Sequence, residues 1–195
     1  MKKDFYEKRK KALHAMYWEP NNGEDVFLPN GFTHYPEEIY DLFLPLITKD
    51  GKALDLGCGN GLLLKHIVLN SPHHIVPFGV DFMDESIKQA QTLILPEYAR
   101  NFSLCNIRDF TFPHAPYDFT FCDPYDVHPD DMNLILNKVF SAISHEGSLV
   151  FYTYTDVLER GNYQSVGDLL PENIGKKLEK RIDNAEVLIG VCYKD

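Results

Sequence analysis

Apolar positions along this chain come in two rhythms. Five short runs are dense in apolar and β-favouring residues: KALDL at 52–56, IVPFGVD at 75–81, FSLCN at 102–106, YDFTFCD at 117–123 and SLVFYTY at 148–154. They read as strands buried on both faces. Between them, at 61–70, 84–95 and 131–144, apolar residues return every three or four positions, as on one face of a helix. A further helix is expected over 36–47, where Pro36 and two acids make a good start. Another is expected over 4–17, with Leu13 and Met16 on one face alongside Phe5 and Tyr6. Strands alternating with helices predict parallel crossovers, and so a doubly wound α/β sheet with helices on both faces.

The two ends fit this pattern less simply. The stretch EPNNGEDVFLPNGFTHYPEE at 19–38 is rich in Pro, Gly and Asn and reads as an ordered loop. The tail KKLEKRIDNAEVLIGVCYK at 176–194 has a polar arm, a turn at Asp183-Asn184 and a strongly apolar arm. A closing hairpin is expected there, with a helix followed by one strand as the alternative. Residues 1–35 precede the first strand by a wide margin and hold seven large aromatics, including Tyr17, Trp18 and Tyr35. They are expected to form a helical cap on a single domain spanning 36–195, with Tyr35 as the residue placed to touch cofactor or substrate.

Composition narrows the class. At 195 residues, 44% hydrophobic and 25% charged, the chain is large enough for one domain with a real core. No run is long enough to span a membrane. The basic N-terminus has no apolar stretch of the secretory kind. Cys58, Cys105, Cys122 and Cys192 lie far apart, which predicts buried thiols and a reducing, cytoplasmic setting. The net charge of −10 disfavours non-specific nucleic-acid binding, although six basic residues crowd positions 2–11. The eight histidines show no metal-binding spacing, so no metal is predicted.

The chemistry concentrates at ALDLGCGNG, residues 53–61, where Gly57, Gly59 and Gly61 follow the first strand at every second position. Glycine there permits positive φ and lets a ligand lie against bare backbone at the head of the next helix. The spacing is not that of the dinucleotide fingerprint, and no Lys-Ser/Thr of a phosphate loop follows. Asp55 would repel a pyrophosphate and suits a ligand with a cationic amino group.

These residues resemble the first motif of class I S-adenosylmethionine-dependent methyltransferases. The resemblance covers roughly residues 36–155 and implies a seven-stranded, mostly parallel sheet with S-adenosylmethionine as cofactor. It implies that Asp55, Gly57, Cys58, Gly59, Asn60 and Gly61 line the cofactor. Asp81, 26 residues after Asp55, would hold both ribose hydroxyls, and Phe82 would lie against adenine. Asn106 and Ile107 stand where the family has an acid and an apolar residue. The Asn106 amide oxygen can accept from the adenine amino group as the acid does. Asp123, ending the fourth run, would face the transferred methyl, with Tyr125 beside it.

Methyl transfer from a sulfonium needs chiefly positioning and exclusion of water, and Asp123 can orient an amine or take its proton. A small-molecule acceptor is expected. CDPYD is similar to the Asp/Asn-Pro-Pro-Tyr/Phe motif of enzymes that methylate amino groups of bases or protein amides, with one proline missing and the Tyr displaced. Asp123 and Asp126 are similar to the pair that holds polyamines in aminopropyltransferases. A methyltransferase-fold binding protein without turnover is the remaining alternative.

Overall fold

The five central runs pair side by side in one sheet. The computed structural model describes residues 2–17, 27–28, 31–32, 37–124, 127–154, 165–175, 178–183 and 187–194. It opens with α1 (Lys2–Tyr17) and a small antiparallel ladder, β1 (Phe27–Leu28) with β2 (Gly31–Phe32), inside the stretch expected as loop. The sheet follows: β3 (Gly51–Leu56), β4 (Ile75–Asp81), β5 (Phe102–Leu104), β6 (Tyr117–Cys122) and β7 (Ile143–Tyr154), with every pairing among these five parallel. The expected C-terminal hairpin is present. β8 (Lys180–Asp183) and β9 (Val187–Tyr193) are antiparallel, and β9 slots between β7 and β8. The strand order is β5-β4-β3-β6-β7-β9-β8.

Helices cover both faces. α2 (Glu37–Asp41), α3 (Leu62–Asn70) and α4 (Asp84–Gln89) lie on one side, where Phe43, Leu64, Ile67 and Ile87 meet Ala53, Phe121 and Val150 of the sheet. α5 (Pro129–Ala142) lies on the other, where Met132, Ile135 and Val139 meet Leu54, Val80 and Phe151.

Three expected helices are cut or shifted, each for a local reason. The one expected over 36–47 stops at Asp41 and resumes as a single 3-10 turn, Leu44–Leu46, because Pro45 has no N–H to continue the ladder. The one expected over 84–95 is α-helical only to Gln89. It then widens to a π turn over Ala90–Ile94, closed by Leu95 N–H on the Ala90 carbonyl at 2.9 Å, before Pro96 ends it. α5 begins two residues early at Pro129, capped by His128 Nδ1 accepting from Asp130 N–H at 3.1 Å. A 3-10 turn at Val166–Leu169 and a short helix at Glu172–Gly175 lie in a segment whose sequence carries no period.

Register decides what reaches the sheet edge. Leu56 stands opposite Val80 of β4 and Cys122 of β6. The residues that follow these three, Gly57, Asp81 and Asp123, therefore emerge side by side at the carboxyl ends. The chain winds outward from β3 through β4 and β5, then returns to β6 on the other side of β3. This reversal opens a crevice of the kind in which doubly wound sheets bind ligands.

The crevice floor depends on close packing at Gly79. A Cβ there would come within 2.6 Å of the Phe102 ring and 2.7 Å of Cys58 Sγ. Gly79→Ala is expected to cost about 1–3 kcal/mol, read as a lower denaturant midpoint at unchanged slope.

Candidate functional site

The turn after β3 is built from glycines because each one is left-handed. Gly57, Gly59 and Gly61 have φ of 90°, 53° and 84°, a region that costs other residues roughly 1–2 kcal/mol each. Gly57 and Cys58 N–H groups bond the Val80 carbonyl at 2.8 and 3.1 Å, tying the turn to β4. Gly61 caps α3 without a side chain. A Cβ on Gly59 would meet nothing within 4 Å, so the turn presents bare backbone to open space. A ligand lying against backbone fits this cradle.

Asp81 holds the turn in place. Its carboxylate accepts from Gly59 N–H at 2.9 Å and from Met83 N–H at 2.7 Å. It is 7% exposed and sits at the end of β4, where a ribose-binding acid is expected from the sequence. Cys58 is buried with its Sγ packed beside Gly79, and burial pushes its thiol well above the ordinary range. It is a packing residue that offers only backbone to a ligand. Asn60 is fully buried and donates Nδ2 to Gln89 of α4 at 3.1 Å, while its Oδ1 has no partner among the described residues.

Asp55 is 1% exposed, and among the described residues the one hydrogen bond to its carboxylate comes from Tyr152 Oη, at 3.4 Å. Burial, with Asp81 nearby, pushes its pKa up to about 7, the Tyr152 bond opposing the rise. A buried acid so thinly supported is suited to a cationic group arriving from outside.

The other predicted positions divide. Ile107 is buried and reaches the turn, its Cδ1 4.0 Å from where a Cβ on Gly57 would stand. The Asn106 oxygen expected for adenine accepts from Arg108 N–H at 2.9 Å, capping the turn Ile107–Asp109. An amide oxygen has a second lone pair for a ligand. Phe82 is half-buried directly after Asp81. Asp123 is half-buried at the end of β6, close enough to Tyr152 to raise the pKa of that phenol. Tyr125 and Tyr35, expected near the acceptor, lie outside the described residues.

Aromatics of α1, expected only as part of the cap, also reach this edge. Tyr6 Oη donates to Asp131 at 3.2 Å and accepts from His128 N–H at 3.3 Å, and Phe5 meets the His128 ring edge-on. Burial and Asp131 push the Tyr6 phenol up to about 12, against the opposing bond from His128, so it remains a donor. Further along, Lys10 pairs with Asp84 at 3.9 Å and His14 with Glu85 at 3.4 Å. α1 thus bridges the starts of α4 and α5, the helices that follow β4 and β6. Between α1, the end of β6 and the Val166–Leu169 turn lies a cavity of about 430 Å³, lined by Phe5, Arg9, Pro124, Val127, Met132 and Leu169 among others. Its one sequence signal was the surplus of aromatics before the first strand. Among the described residues no cluster of His, Cys, Asp and Glu could hold a metal ion, and no helix is long and apolar enough to cross a membrane.

Comparison with known proteins agrees with the geometry. A family model described as a methyltransferase domain matches residues 47–187. The N-methyltransferase NodS from Bradyrhizobium japonicum, solved with S-adenosyl-L-homocysteine, superposes with a TM-score of 0.66 at 14% identity, covering 95% of this chain and 97% of that one. A TehB-like SAM-dependent methyltransferase from Corynebacterium glutamicum gives a TM-score of 0.61 at 18% identity, covering 98% and 97%. An RNA methyltransferase from Salinibacter ruber, also with S-adenosyl-L-homocysteine, gives 0.58 at 13% identity, covering 82% and 92%. No curated protein matches at a significant level.

The raised pKa of Asp55 has a consequence for stability. Folded Asp55 keeps its proton up to about pH 7, whereas an ordinary carboxyl has lost it above 3.8. In that window the folded state binds more protons, so this group makes stability fall as pH rises. Asp55→Asn removes the effect. Its stability relative to wild type, measured by urea unfolding without ligand, is expected to grow between pH 4 and 7 by up to about 1.4 kcal/mol per unit and then level off. A constant difference across that range would show that Asp55 titrates normally.

Proposed function

The chain belongs to the methyltransferase domain family, and from that premise we propose that it transfers a methyl group from S-adenosylmethionine to a small molecule seated between α1 and the end of β6. Its class I Rossmann-like fold and its cofactor, S-adenosylmethionine, go with that membership. The cavity lined by Phe5 and by Pro124, the residue after Asp123, carries the acceptor reading. Its 430 Å³ falls within the roughly 300–1,000 Å³ of small-ligand pockets, and its walls are mostly apolar.

Bound S-adenosylmethionine supplies a methyl group already activated on a sulfonium. The chain's own residues hold and orient. The Gly57–Gly61 backbone admits the cofactor closely, Asp81 accepts from the ribose hydroxyls, and Phe82, Asn106 and Ile107 form the adenine side. Asp55 receives the amino group. Asp123 orients the acceptor, a role proposed also for Tyr125 two positions on in the sequence, and for an amine acceptor the Asp123 carboxylate takes the proton. α1 excludes water from the reacting atoms, as a lid does. Phe5, Tyr6 and Leu13 are only half-buried and outside both core clusters, which supports a lid over a structural strut.

Methylation of an amino group on a base or protein is the second reading, favoured by Asp123 being followed by a buried Pro124 at the end of β6. The net charge of −10 weighs against a nucleic-acid acceptor.

Asp81→Ala removes the anchor of the glycine turn at Gly59 N–H and the bond to Met83 N–H, as well as the ribose acceptor. Charge-assisted hydrogen bonds are worth about 1.5–3 kcal/mol each, so calorimetry is expected to show at least about tenfold weaker S-adenosylmethionine binding. A loss under twofold would place the ribose elsewhere.

The acceptor is found by incubating cell extract with radiolabelled S-adenosylmethionine and separating protein, RNA and small molecules. Label is expected in the small-molecule fraction, and label in RNA or protein instead would favour the second reading. The same assay tests the lid. A chain lacking residues 1–30 is expected to fold and bind cofactor while transferring no methyl group, and either unfolding or intact turnover would refute that role.

A further inference from the structure

Tyr152 is a buried polar side chain that the methyl-transfer reading leaves without a task. It stands on β7, two strands from β3, and its hydroxyl crosses β6 to reach Asp55 Oδ1 at 3.4 Å. Its ring is held edge-on by Phe43 at 5.4 Å and by Tyr154 at 6.1 Å. A phenol wedged among rings has one pose, so it can fix a neighbour's orientation. A phenylalanine would fill the same space, and the hydroxyl therefore marks a polar role.

We propose that Tyr152 is a positioning residue for cofactor capture: it holds the Asp55 carboxylate ready for the ligand's cationic amino group and sets the pH range in which that group is accepted. This role presupposes the S-adenosylmethionine reading above. The groups around Asp55 are few. Tyr152 faces it from β7, Asp81 from the end of β4 and the Cys58 thiol from the glycine turn. Tyr152 itself faces Tyr154 on its own strand and Cys122 and Asp123 at the end of β6, while Phe43, from the segment after α2, is apolar. Burial pushes both the Cys58 thiol and the Tyr152 phenol up, so both stay neutral. Among these groups no fixed cation stands beside Asp55. An ammonium from the ligand completes the set, and its arrival favours the ionised carboxylate. Binding then releases a proton to solvent at pH values where Asp55 starts out protonated. The Tyr152 hydroxyl donates to the carboxylate and so makes that ionisation easier.

The test compares two ligands on the intact chain by calorimetry between about pH 5.5 and 8.5. S-adenosylhomocysteine carries the amino-acid end, and 5′-methylthioadenosine lacks it. Wild type is expected to bind S-adenosylhomocysteine up to about tenfold more tightly for each unit by which pH rises toward neutrality, levelling off above it, with methylthioadenosine flat. Tyr152→Phe is expected to move that midpoint to higher pH and to weaken S-adenosylhomocysteine several-fold at pH 7, leaving methylthioadenosine unchanged. A variant with the wild-type profile, or one that loses both ligands equally at every pH, overturns the role of Tyr152 and leaves the cofactor reading standing. A flat wild-type profile for both ligands removes Asp55 from the amino-group site. Wild type that binds neither ligand refutes the cofactor reading and this role together.

Discussion

The bond from Gly59 N–H to the Asp81 carboxylate is the contact on which the rest of the site depends. Three left-handed glycines in five residues make a turn with little intrinsic preference for one shape, and glycine loses more freedom on folding than any other residue. The turn becomes specific only when an acid on the neighbouring strand grips it from the side. Register then carries this order across the sheet. With β3 locked to β4 on one side and to β6 on the other, one hydrogen bond aligns the backbone cradle with Asp81 and Asp123.

The electrostatics follow a single plan. The site gathers Asp55, Asp81 and Asp123 at the carboxyl edge, while α1 brings Arg9 and Lys10 toward it and Arg108 pairs with Asp131 at 3.6 Å. Such an arrangement welcomes a sulfonium and an ammonium and resists a pyrophosphate. The acids are not equivalent. Asp81 receives two backbone N–H groups, whereas Asp55 receives one long bond from a phenol. Burial pushes the Asp55 carboxyl up to about 7, so its charge state responds to what binds.

Much of the architecture could be read from residue order alone, because parallel strands buried on both faces show as continuous apolar runs and the glycine spacing carries its own chemistry. The hairpin was readable from the contrast between its two arms. What escaped was decided by contacts between distant segments. Nothing local distinguishes Tyr152 from the other aromatics of β7. Its task exists only because the strand order sets β7 two places from β3. Tyr6 and Asp131 lie 125 residues apart and meet only once α1 is docked. The helix ends were misjudged where Pro45 and the π turn before Pro96 interrupted an otherwise good apolar period. That the Asn106 oxygen caps the turn Ile107–Asp109 was likewise invisible, since a cap and a ligand acceptor ask for the same residue type.

The placement of β9 between β7 and β8 orders events in folding. β7 is twelve residues long and rich in large apolar side chains, and one of its two edges has no neighbour until β9 arrives from the far end of the chain. While the chain is being made, that strand is an open template for pairing with another molecule. The parallel strands before it also depend on long loop closures and form slowly. The interval between completion of β7 and emergence of β9 is therefore when this protein is most exposed to aggregation. Slow synthesis of, or damage to, the β8–β9 hairpin would act there, far from the chemistry and before any ligand could bind.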